Sequence, residues 1–448
     1  MSWSVEQVLA MAPDAGSAKA GRELGQSRKW SELGSDGSSV WGAVQGSGKE
    51  PYRTGIDLSE PAFKCSCPSR KFPCKHGLGL FLILVQEPTG IPSGTPPPWV
   101  AEWMAKRSEK AIRKQSPPEA RSGEPDPERA AKAAESIARR AQQRESRMTE
   151  GIAELRQWIS DVVRSGLATL PGRPPTFWER PTARLVDAQL PGIARRLAQL
   201  ESEVGRSPDW AARILSEFAL LHLAAEGWGR RAELPEAEYQ DLLALAGVPV
   251  PQETVLAGEA VEDDWLVLGR RILEEDRVRS QRTWLWGLRS ARPALCLSFS
   301  ATAAQPLDLS LVPGTTVSGS LAFFPGVASV RAVVKSRNGT PNSAGSPALP
   351  LPHANLEEAL SFAGRTWAGN PWIERLPLAL AAVVPGRRGH GWGVADPTGD
   401  WLPMEAPAER LWSLLALSGG RPLGLSAEWD GRTLHPLGAW TGTRTWFP

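Results

Sequence analysis

The sequence of 448 residues has little net charge and no long hydrophobic run. A formal charge of +2 gives the whole molecule no strong attraction to nucleic acid or to a membrane surface, so a polyanion would have to bind to a local patch. The apolar stretch Leu78–Val85 is far shorter than the roughly 20 residues that span a bilayer. The first residues, MSWSVEQVLAMAPDAG, lack the basic head and apolar run of a secretion signal. We therefore expect a soluble, cytoplasmic protein.

Cysteine is also scarce, and its distribution is uneven. Only four cysteines occur, and three of them lie with His76 in the segment KCSCPSRKFPCKH, residues 64–76. Because cytoplasmic thiols are kept reduced, such a cluster is more typical of a metal site than of disulfides. Three cysteines cannot pair among themselves, and Cys296 stands far away in the run ALCLSF. A disulfide with a spare thiol and a chance cluster are the alternatives.

The spacing of the cluster is C-x-C-x6-C-x-H, which provides four zinc donors in two pairs. These donors are Cys65, Cys67, Cys74 and His76. Side chains at i and i+2 of an extended or turning chain lie on one side, so each pair can supply one edge of the tetrahedron that structural zinc requires. Four protein ligands leave no open coordination position, and the nearest acids, Glu60 and Glu87, flank the segment. We therefore predict one structural zinc ion and not a catalytic one.

The residues around the cluster predict a small unit of two strands and a helix. The strands are Val40–Gln45 and Pro51–Leu58, joined by the turn Gly46–Lys49. The run GLGLFLILV after His76 predicts a buried helix that packs on this hairpin.

The cluster and its surroundings resemble a SWIM zinc finger. The resemblance extends over GAVQGSGKEPYRTGIDLSEPAFKCSCPSRKFPCKHGLGLFL, residues 42–82, and all four ligand positions match the motif. It implies a zinc-supported ββα module of the kind found in helicase-like ATPases, Mutator-type transposases and signalling proteins, with nucleic-acid or protein binding as proposed roles. The bacterial proteins that it resembles look like components of systems with a ring-forming ATPase of the MoxR type and a von Willebrand A-domain protein. The resemblance therefore suggests one of these proteins as a partner.

Basic side chains of the finger form a candidate contact surface. All charged residues between Pro61 and Gln86 are basic. The candidate contact residues are Lys64, Arg70, Lys71, Phe72 and Lys75. Three thiolates on Zn²⁺ leave about −1 at the ligand core, so the finger keeps a net charge of about +3. Such a surface could neutralise phosphates and stack a base on Phe72, but we favour a protein contact or a purely structural role.

Composition divides the chain into four parts. We predict a zinc finger module over residues 1–90, a proline-rich and charged linker over 91–150, a helical domain over 151–255 and a tryptophan-rich α+β domain over 256–448. The fold class is therefore multidomain α+β, with an N-terminal ββα module, a central helical region and a C-terminal mixed region that contains antiparallel strands.

Apolar periodicity locates helices in the central region. Apolar residues recur every three or four positions from Val186 to Val204, which predicts one amphipathic helix with a kink at Pro191. Ser207 before Pro208 predicts the cap of the next helix. A further helix, Pro235–Ala246, is predicted to end at Gly247.

The last region shows a different pattern. Short apolar runs at 265–268, 283–286, 294–299, 320–324 and 331–334 predict strands of an antiparallel sheet. We predict helices over Asn355–Trp367, Trp372–Val384 and Ala408–Leu417, with strands and turns around the last of them. Most of the twenty tryptophans are interpreted as core and turn anchors.

No catalytic constellation can be assembled from spacing alone. The histidines outside the cluster, His222, His353, His390 and His435, have no neighbouring nucleophile or acid pair in the sequence. We therefore predict a non-enzymatic zinc-binding interaction protein whose finger mediates protein contacts, as an adaptor to an AAA-type ATPase system. DNA or RNA binding through the basic finger loop is the first alternative. An enzyme with a site in the C-terminal half is the second.

Overall fold

The computed structural model describes the chain except for residues 1, 2, 4, 10, 47–49, 59, 60, 70, 116–126, 276, 277, 301–306, 339–341, 344–350 and 443. Its described part is multidomain α+β, as predicted, with a small N-terminal sheet, a central helical region and two larger sheets. No helix among these residues is both long enough and apolar enough to pass through a membrane.

The amino-terminal region is a four-stranded sheet that carries helices. Its elements are α1 (Val5–Leu9), α2 (Ala15–Leu24), β1 (Trp30–Ser35), β2 (Ser39–Val44), β3 (Tyr52–Asp57), β4 (Ala62–Cys65), α3 (Lys75–Gln86) and α4 (Pro98–Gln115). The strands form an antiparallel meander in sequence order, and the predicted hairpin is its central pair, β2 and β3. The outer strands were not predicted because their sequences, WSELGS and AFKC, are short and poor in β-branched residues.

Helices α3 and α4 lie on opposite faces of this sheet. On one face, the apolar side chains of α3 share a core with Ile56 and Phe63. On the other face, Gly55 makes room for Trp99 and Trp103 of α4, because a Cβ on Gly55 would lie only 3.2 Å from the Trp99 ring. The sheet is therefore buried between two helical layers.

The predicted linker, residues 91–150, is largely helical where the structure describes it. It contains α4 and the first part of α5 (Pro127–Ser165). Arg107 of α4 donates to the buried carboxylate of Asp57 at 2.9 Å, which ties α4 to the sheet. The proline-rich interior, residues 116–126, lies outside the described residues.

The central region is a helical bundle. It consists of α5, α6 (Thr176–Asp187), α7 (Pro191–Glu201), α8 (Trp210–Gly229) and α9 (Glu236–Ala246), and the short helix α10 (Gln252–Ala257) follows. Apolar side chains from α5 to α9 share one core. The predicted end of α9 is confirmed, since Gly247 adopts the left-handed conformation that closes a helix.

Two helix boundaries in the bundle differ from the prediction. The prediction of one kinked helix over Val186–Val204 is wrong. Gln189 adopts a left-handed conformation (φ 63°), and Pro191 begins a separate helix, α7. The cap predicted at Ser207 is also wrong, since α8 begins at Trp210. The Ser207 hydroxyl instead donates to the carboxylate of Asp209 at 2.6 Å.

The next region forms a closed five-stranded barrel. Its strands are β5 (Ala260–Glu275), β6 (Val278–Gly287), β7 (Pro293–Ser300), β8 (Thr315–Phe323) and β9 (Arg331–Arg337), and the short β10 (Asn342–Ser343) pairs with β8. The order around the barrel is β5-β6-β7-β9-β8, and β8 pairs again with β5. All these pairs are antiparallel except β7 with β9. This connectivity is that of the OB-fold, a five-stranded Greek-key barrel.

The C-terminal region is a six-stranded sheet. Its strands are β11 (Leu376–Arg388), β12 (Gly391–Ala395), β13 (Trp401–Pro403), β14 (Leu423–Trp429), β15 (Leu434–Trp440) and β16 (Thr445–Trp446). They are antiparallel in the order β13-β12-β11-β14-β15-β16, and α11 (Leu356–Gly369) and α12 (Ala408–Ser418) share their core. The helix predicted over Trp372–Val384 is wrong, because this segment enters β11. That central strand is buried on both faces over its first residues, so its sequence shows no polar alternation.

The barrel and the C-terminal sheet share a buried wall. Trp284 and Trp286 of β6 point out of the barrel into the core of the sheet. The fully buried carboxylate of Glu428 on β14 accepts hydrogen bonds from Trp284 Nε1 at 2.7 Å and from Arg282 Nε at 2.8 Å. These tryptophans therefore anchor the core, as predicted.

Candidate metal centre

The four predicted ligands come from three adjoining elements. Cys65 is the last residue of β4, Cys67 lies in the loop that follows, Cys74 caps the start of α3 and His76 lies in its first turn. The meander brings the end of β4 to the start of α3, so the two pairs meet. One ligand atom from each of these residues lies within 4.8 Å of all the others.

The separations within the cluster suit a single tetrahedral ion. Nδ1 of His76 lies 3.8 Å from Sγ of Cys65 and 3.9 Å from Sγ of Cys74. Two ligands of one tetrahedral zinc with thiolate and imidazole donors are expected about 3.6 Å apart. The donor set of three sulfurs and one imidazole nitrogen fits one structural Zn²⁺, as the sequence predicted.

Neighbouring groups hold the ligands in place. The Cys74 sulfur accepts the backbone N–H of Gly77 at 3.5 Å, and Oγ1 of Thr54 lies 3.2 Å from the Cys65 sulfur. The ring of His76 is buried beside Tyr52, with centroids 5.1 Å apart. Tyr52 and Thr54 project from the same face of β3. Their contacts with the ligands were not predicted, although their alternation along the strand is visible in the sequence.

Hydrogen bonding and burial make the three thiols of the cluster unequal in acidity. The Cys74 thiol hydrogen-bonds to the Cys65 sulfur, and this contact lowers the pKa of Cys65 to about 3. The same contact raises the pKa of Cys74, and burial raises the pKa of Cys67. One thiolate is therefore present at neutral pH, and metal binding must displace protons from the other thiols.

The four donors of the centre are three cysteines and one histidine, all from the protein. No aspartate or glutamate joins the cluster among the residues that the structure describes. Of the two flanking acids, Glu60 lies outside the described residues, and the Glu87 carboxylate accepts the backbone N–H of Ser27 at 3.0 Å. Four protein donors without an adjacent general base are the arrangement of a structural zinc site.

The predicted contact residues are only partly available. Lys64 approaches α4, where its ammonium lies 3.4 Å from the carbonyl oxygen of Trp99 and 5.8 Å from the ring centroid. Lys71 pairs with Asp14 at 2.9 Å. Lys75 is exposed, Phe72 is 38% exposed and packs edge-on against Phe63, and Arg70 lies outside the described residues.

The remaining cysteine and histidines do not form a second centre. Burial raises the pKa of Cys296 in the barrel to about 12, so this thiol stays protonated. His353 is buried against Trp286, and burial lowers its pKa. His435 contacts Asp430 at 3.1 Å, and His222 lies 3.6 Å from Glu226. No further cluster of metal-ligating side chains occurs in the described part of the chain.

Comparison with known families agrees with this geometry. The model of the SWIM zinc finger matches residues 60–84, and that of the SWIM-associated four-helix bundle domain matches residues 143–246. The first match contains all four ligands, and the second runs from α5 to the end of α9. No curated protein and no solved structure matches the chain. The resemblance found in the sequence is thereby confirmed.

Proposed function

We propose that this protein, whose chain carries a SWIM zinc finger and a SWIM-associated four-helix bundle, is a non-enzymatic adaptor that binds other proteins. The observation that carries this proposal is the closed metal centre. Its four donors all come from the protein, so the zinc holds β4 and α3 together instead of activating a substrate. The finger then acts as a rigid platform.

The charge distribution on the finger favours a protein partner over a nucleic acid. Asp14 lies against Lys71 and cancels part of the positive potential that phosphates would require. Lys64 is drawn toward the Trp99 ring on α4. Phe72 remains as an exposed aromatic residue, and aromatic anchors are enriched at protein interfaces.

The bundle offers a second surface for such a role. A cavity of about 450 Å³ lies between α5 and α6, with an apolar floor that includes Trp158 and Phe177. Its rim carries Arg173, Arg180 and Arg184, of which Arg184 is paired with Glu154. An apolar floor with a basic rim is complementary to an acidic, amphipathic segment of a partner protein.

The resemblance to bacterial SWIM proteins names the first partners to test. The purified protein would be immobilised and titrated with the MoxR-type ATPase and the von Willebrand A-domain protein from the same organism. We expect at least one of them to bind, and Phe72→Ala to weaken that binding about tenfold while zinc content stays unchanged. Phe299→Ala is the matched control, because this barrel phenylalanine is also exposed, at 53%. If neither protein binds, the ATPase-linked role is wrong.

Nucleic-acid binding by the finger is the second candidate, because Lys75 is exposed and carries no neighbouring acid among the described finger residues 61–69 and 71–86. Changing Lys64, Arg70, Lys71 and Lys75 together to glutamine should weaken oligonucleotide binding and flatten its salt dependence without loss of zinc. Unchanged affinity would exclude this surface.

A further inference from the structure

The tip of the β11–β12 hairpin carries two arginines that stack on tryptophans. Its sequence, GRRGHGW, covers residues 386–392. Arg387 is directly paired with Trp392 across the hairpin, and its guanidinium carbon lies 5.3 Å from the centroid of the indole. Arg388 faces the other side of the hairpin and lies 4.6 Å from the centroid of Trp401. Each guanidinium is therefore held in a defined position by an aromatic ring.

One of these two faces continues onto α12. Trp412 of that helix meets Trp392 edge to face, with ring centroids 5.0 Å apart and an angle of 87° between the ring planes. Trp412 is 53% exposed, which is unusual for so large an apolar side chain. The Trp392 face therefore presents an exposed indole beside a supported indole and an exposed arginine.

The opposite face is built differently. Trp401 lies flat over the backbone of β12, since a Cβ on Gly393 would come within 2.4 Å of its ring. Arg388 covers this ring and donates to the carbonyl oxygen of Gly399 at 3.3 Å. The Arg388 guanidinium therefore makes a hydrogen bond within the protein. Arg387, in contrast, makes no hydrogen bond or ion pair among the described residues, and its contact is with the Trp392 ring.

The hairpin that forms the Trp392 face carries basic side chains and no acidic ones. No acid occurs in residues 375–395, and the first acid after the hairpin, Asp396, is buried and accepts hydrogen bonds from Thr398 and from the backbone of Leu356. Glu409 and Arg410 at the exposed start of α12 carry opposite charges. A further exposed acid, Glu405, follows Met404, whose backbone N–H donates to the carbonyl oxygen of Trp392 at 2.8 Å. The hairpin itself therefore contributes only basic charge, and the carboxylates near it belong to neighbouring segments.

An exposed indole beside a stacked cation points to one class of ligand. Among the described residues of 351–448, the large apolar side chains that are exposed are Leu360 on α11, at 39%, and Trp412 on α12, at 53%. An indole that lies exposed beside an arginine can stack a base while the arginine neutralises the adjacent phosphate.

We propose that the surface formed by Arg387, Trp392 and Trp412 binds single-stranded nucleic acid without sequence preference. A base stacks on Trp412, and Arg387 contacts the adjacent phosphate. This site is separate from the zinc finger, and it does not depend on the adaptor function.

The test uses the zinc-loaded full-length protein and fluorescein-labelled oligothymidylate and oligouridylate, followed by anisotropy across a salt series. We expect Trp412→Ala to weaken binding about tenfold, because base stacking contributes at that level. We expect Arg387→Gln to reduce the slope of log affinity against log salt by about 0.7, the value for one phosphate contact on a single strand. Thermal melts should shift only slightly, since each variant loses one contact with the Trp392 ring at the protein surface.

Arg388→Gln is the matched control, because it removes the same charge from the opposite face of the same hairpin. Its effect on the slope should be clearly smaller than that of Arg387→Gln. Lys75→Gln in the finger should leave the affinity unchanged, which separates this site from the finger. The proposal is overturned if neither oligonucleotide binds at low salt, if Trp412→Ala binds like the unchanged protein, or if the two arginine variants behave alike.

Discussion

The zinc ligands are single residues on which the fold of the finger depends. Cys65→Ser or His76→Ala should release about one equivalent of metal and unfold β4 and the first turn of α3, because binding and folding are coupled in small zinc modules. Metal analysis and hydrogen exchange of these segments would measure the two effects. Cys296→Ser is the control that should keep its zinc. A metal-free variant with a cooperatively folded finger would contradict a structural role for the ion.

Glu428 is another single residue on which stability depends, and it lies in the buried wall between the barrel and the C-terminal sheet. Glu428→Gln should lower the free energy of unfolding by about 3 kcal/mol, because it leaves partly buried cations such as Arg282 without the counter-charge of a fully buried carboxylate. Urea denaturation would measure the loss. Glu409→Gln on exposed α12 should change stability by less than about 0.5 kcal/mol. Equal losses in the two variants would show that the buried Glu428 carboxylate contributes no more to the free energy of unfolding than an exposed one.

The site could be predicted from the sequence only as far as its local spacing reaches. Cys65 and His76 lie within one short segment, so their chemistry and geometry follow from the pattern C-x-C-x6-C-x-H. The contacts of Lys71 with Asp14 and of Lys64 with Trp99 join residues far apart in sequence. No local pattern encodes such pairs, and they change the interpretation of the basic surface.

At the scale of elements, glycines determine how closely helices approach. Gly79→Ala in α3 should destabilise the finger by about 1–3 kcal/mol, because the new Cβ would lie 2.7 Å from Cβ of Leu24 on α2. Gly364→Ala in α11 has open space around it and should stabilise the protein by up to about 1 kcal/mol through helix propensity. Chemical denaturation of both variants is the measurement. A stabilising Gly79→Ala would show that α2 can move away at no cost.

Most elements with a clear period were predicted well, and those without one were not. The exception is the period from Val186 to Val204, which continues across the turn at Gln189, so that two helices were predicted as one. The helix over Ala408–Leu417 and the strand around Trp284 have apolar patterns that match their structures. The run LPLALAAVV of β11 is apolar on both faces and rich in alanine, so it is indistinguishable from a buried helix by pattern alone. Barrel closure was also missed, because the β8–β5 and β7–β9 pairs depend on contacts between distant strands.

For the whole molecule, Asp241 joins three regions. This buried carboxylate on α9 of the bundle accepts two hydrogen bonds. One comes from Nδ2 of Asn370, which precedes the C-terminal sheet, at 2.8 Å, and the other from the backbone N–H of Val327, between barrel strands β8 and β9, at 3.0 Å. Asp241→Ala leaves both donors unpaired and should cost about 2–4 kcal/mol. We expect calorimetry to show the bundle melting apart from the barrel and the C-terminal sheet.

The control for this prediction is Glu238→Ala on the same helix, where the side chain is exposed. It should leave the melting profile unchanged. A single unaltered transition in the Asp241 variant would show that other contacts, such as Trp372 Nε1 to the carbonyl of Leu220 at 3.1 Å, already couple these regions.

The wall between the barrel and the C-terminal sheet also affects synthesis of the chain. All five barrel strands leave the ribosome before β14 and β15, which cover Trp284 and Trp286. At about 5–20 residues per second, the delay between β9 and β15 is on the order of 5–20 s. During that time the nascent barrel exposes two indoles and keeps Arg282 without Glu428. We therefore expect this apolar surface to stay exposed to solvent until β14 and β15 have been translated and have folded onto it.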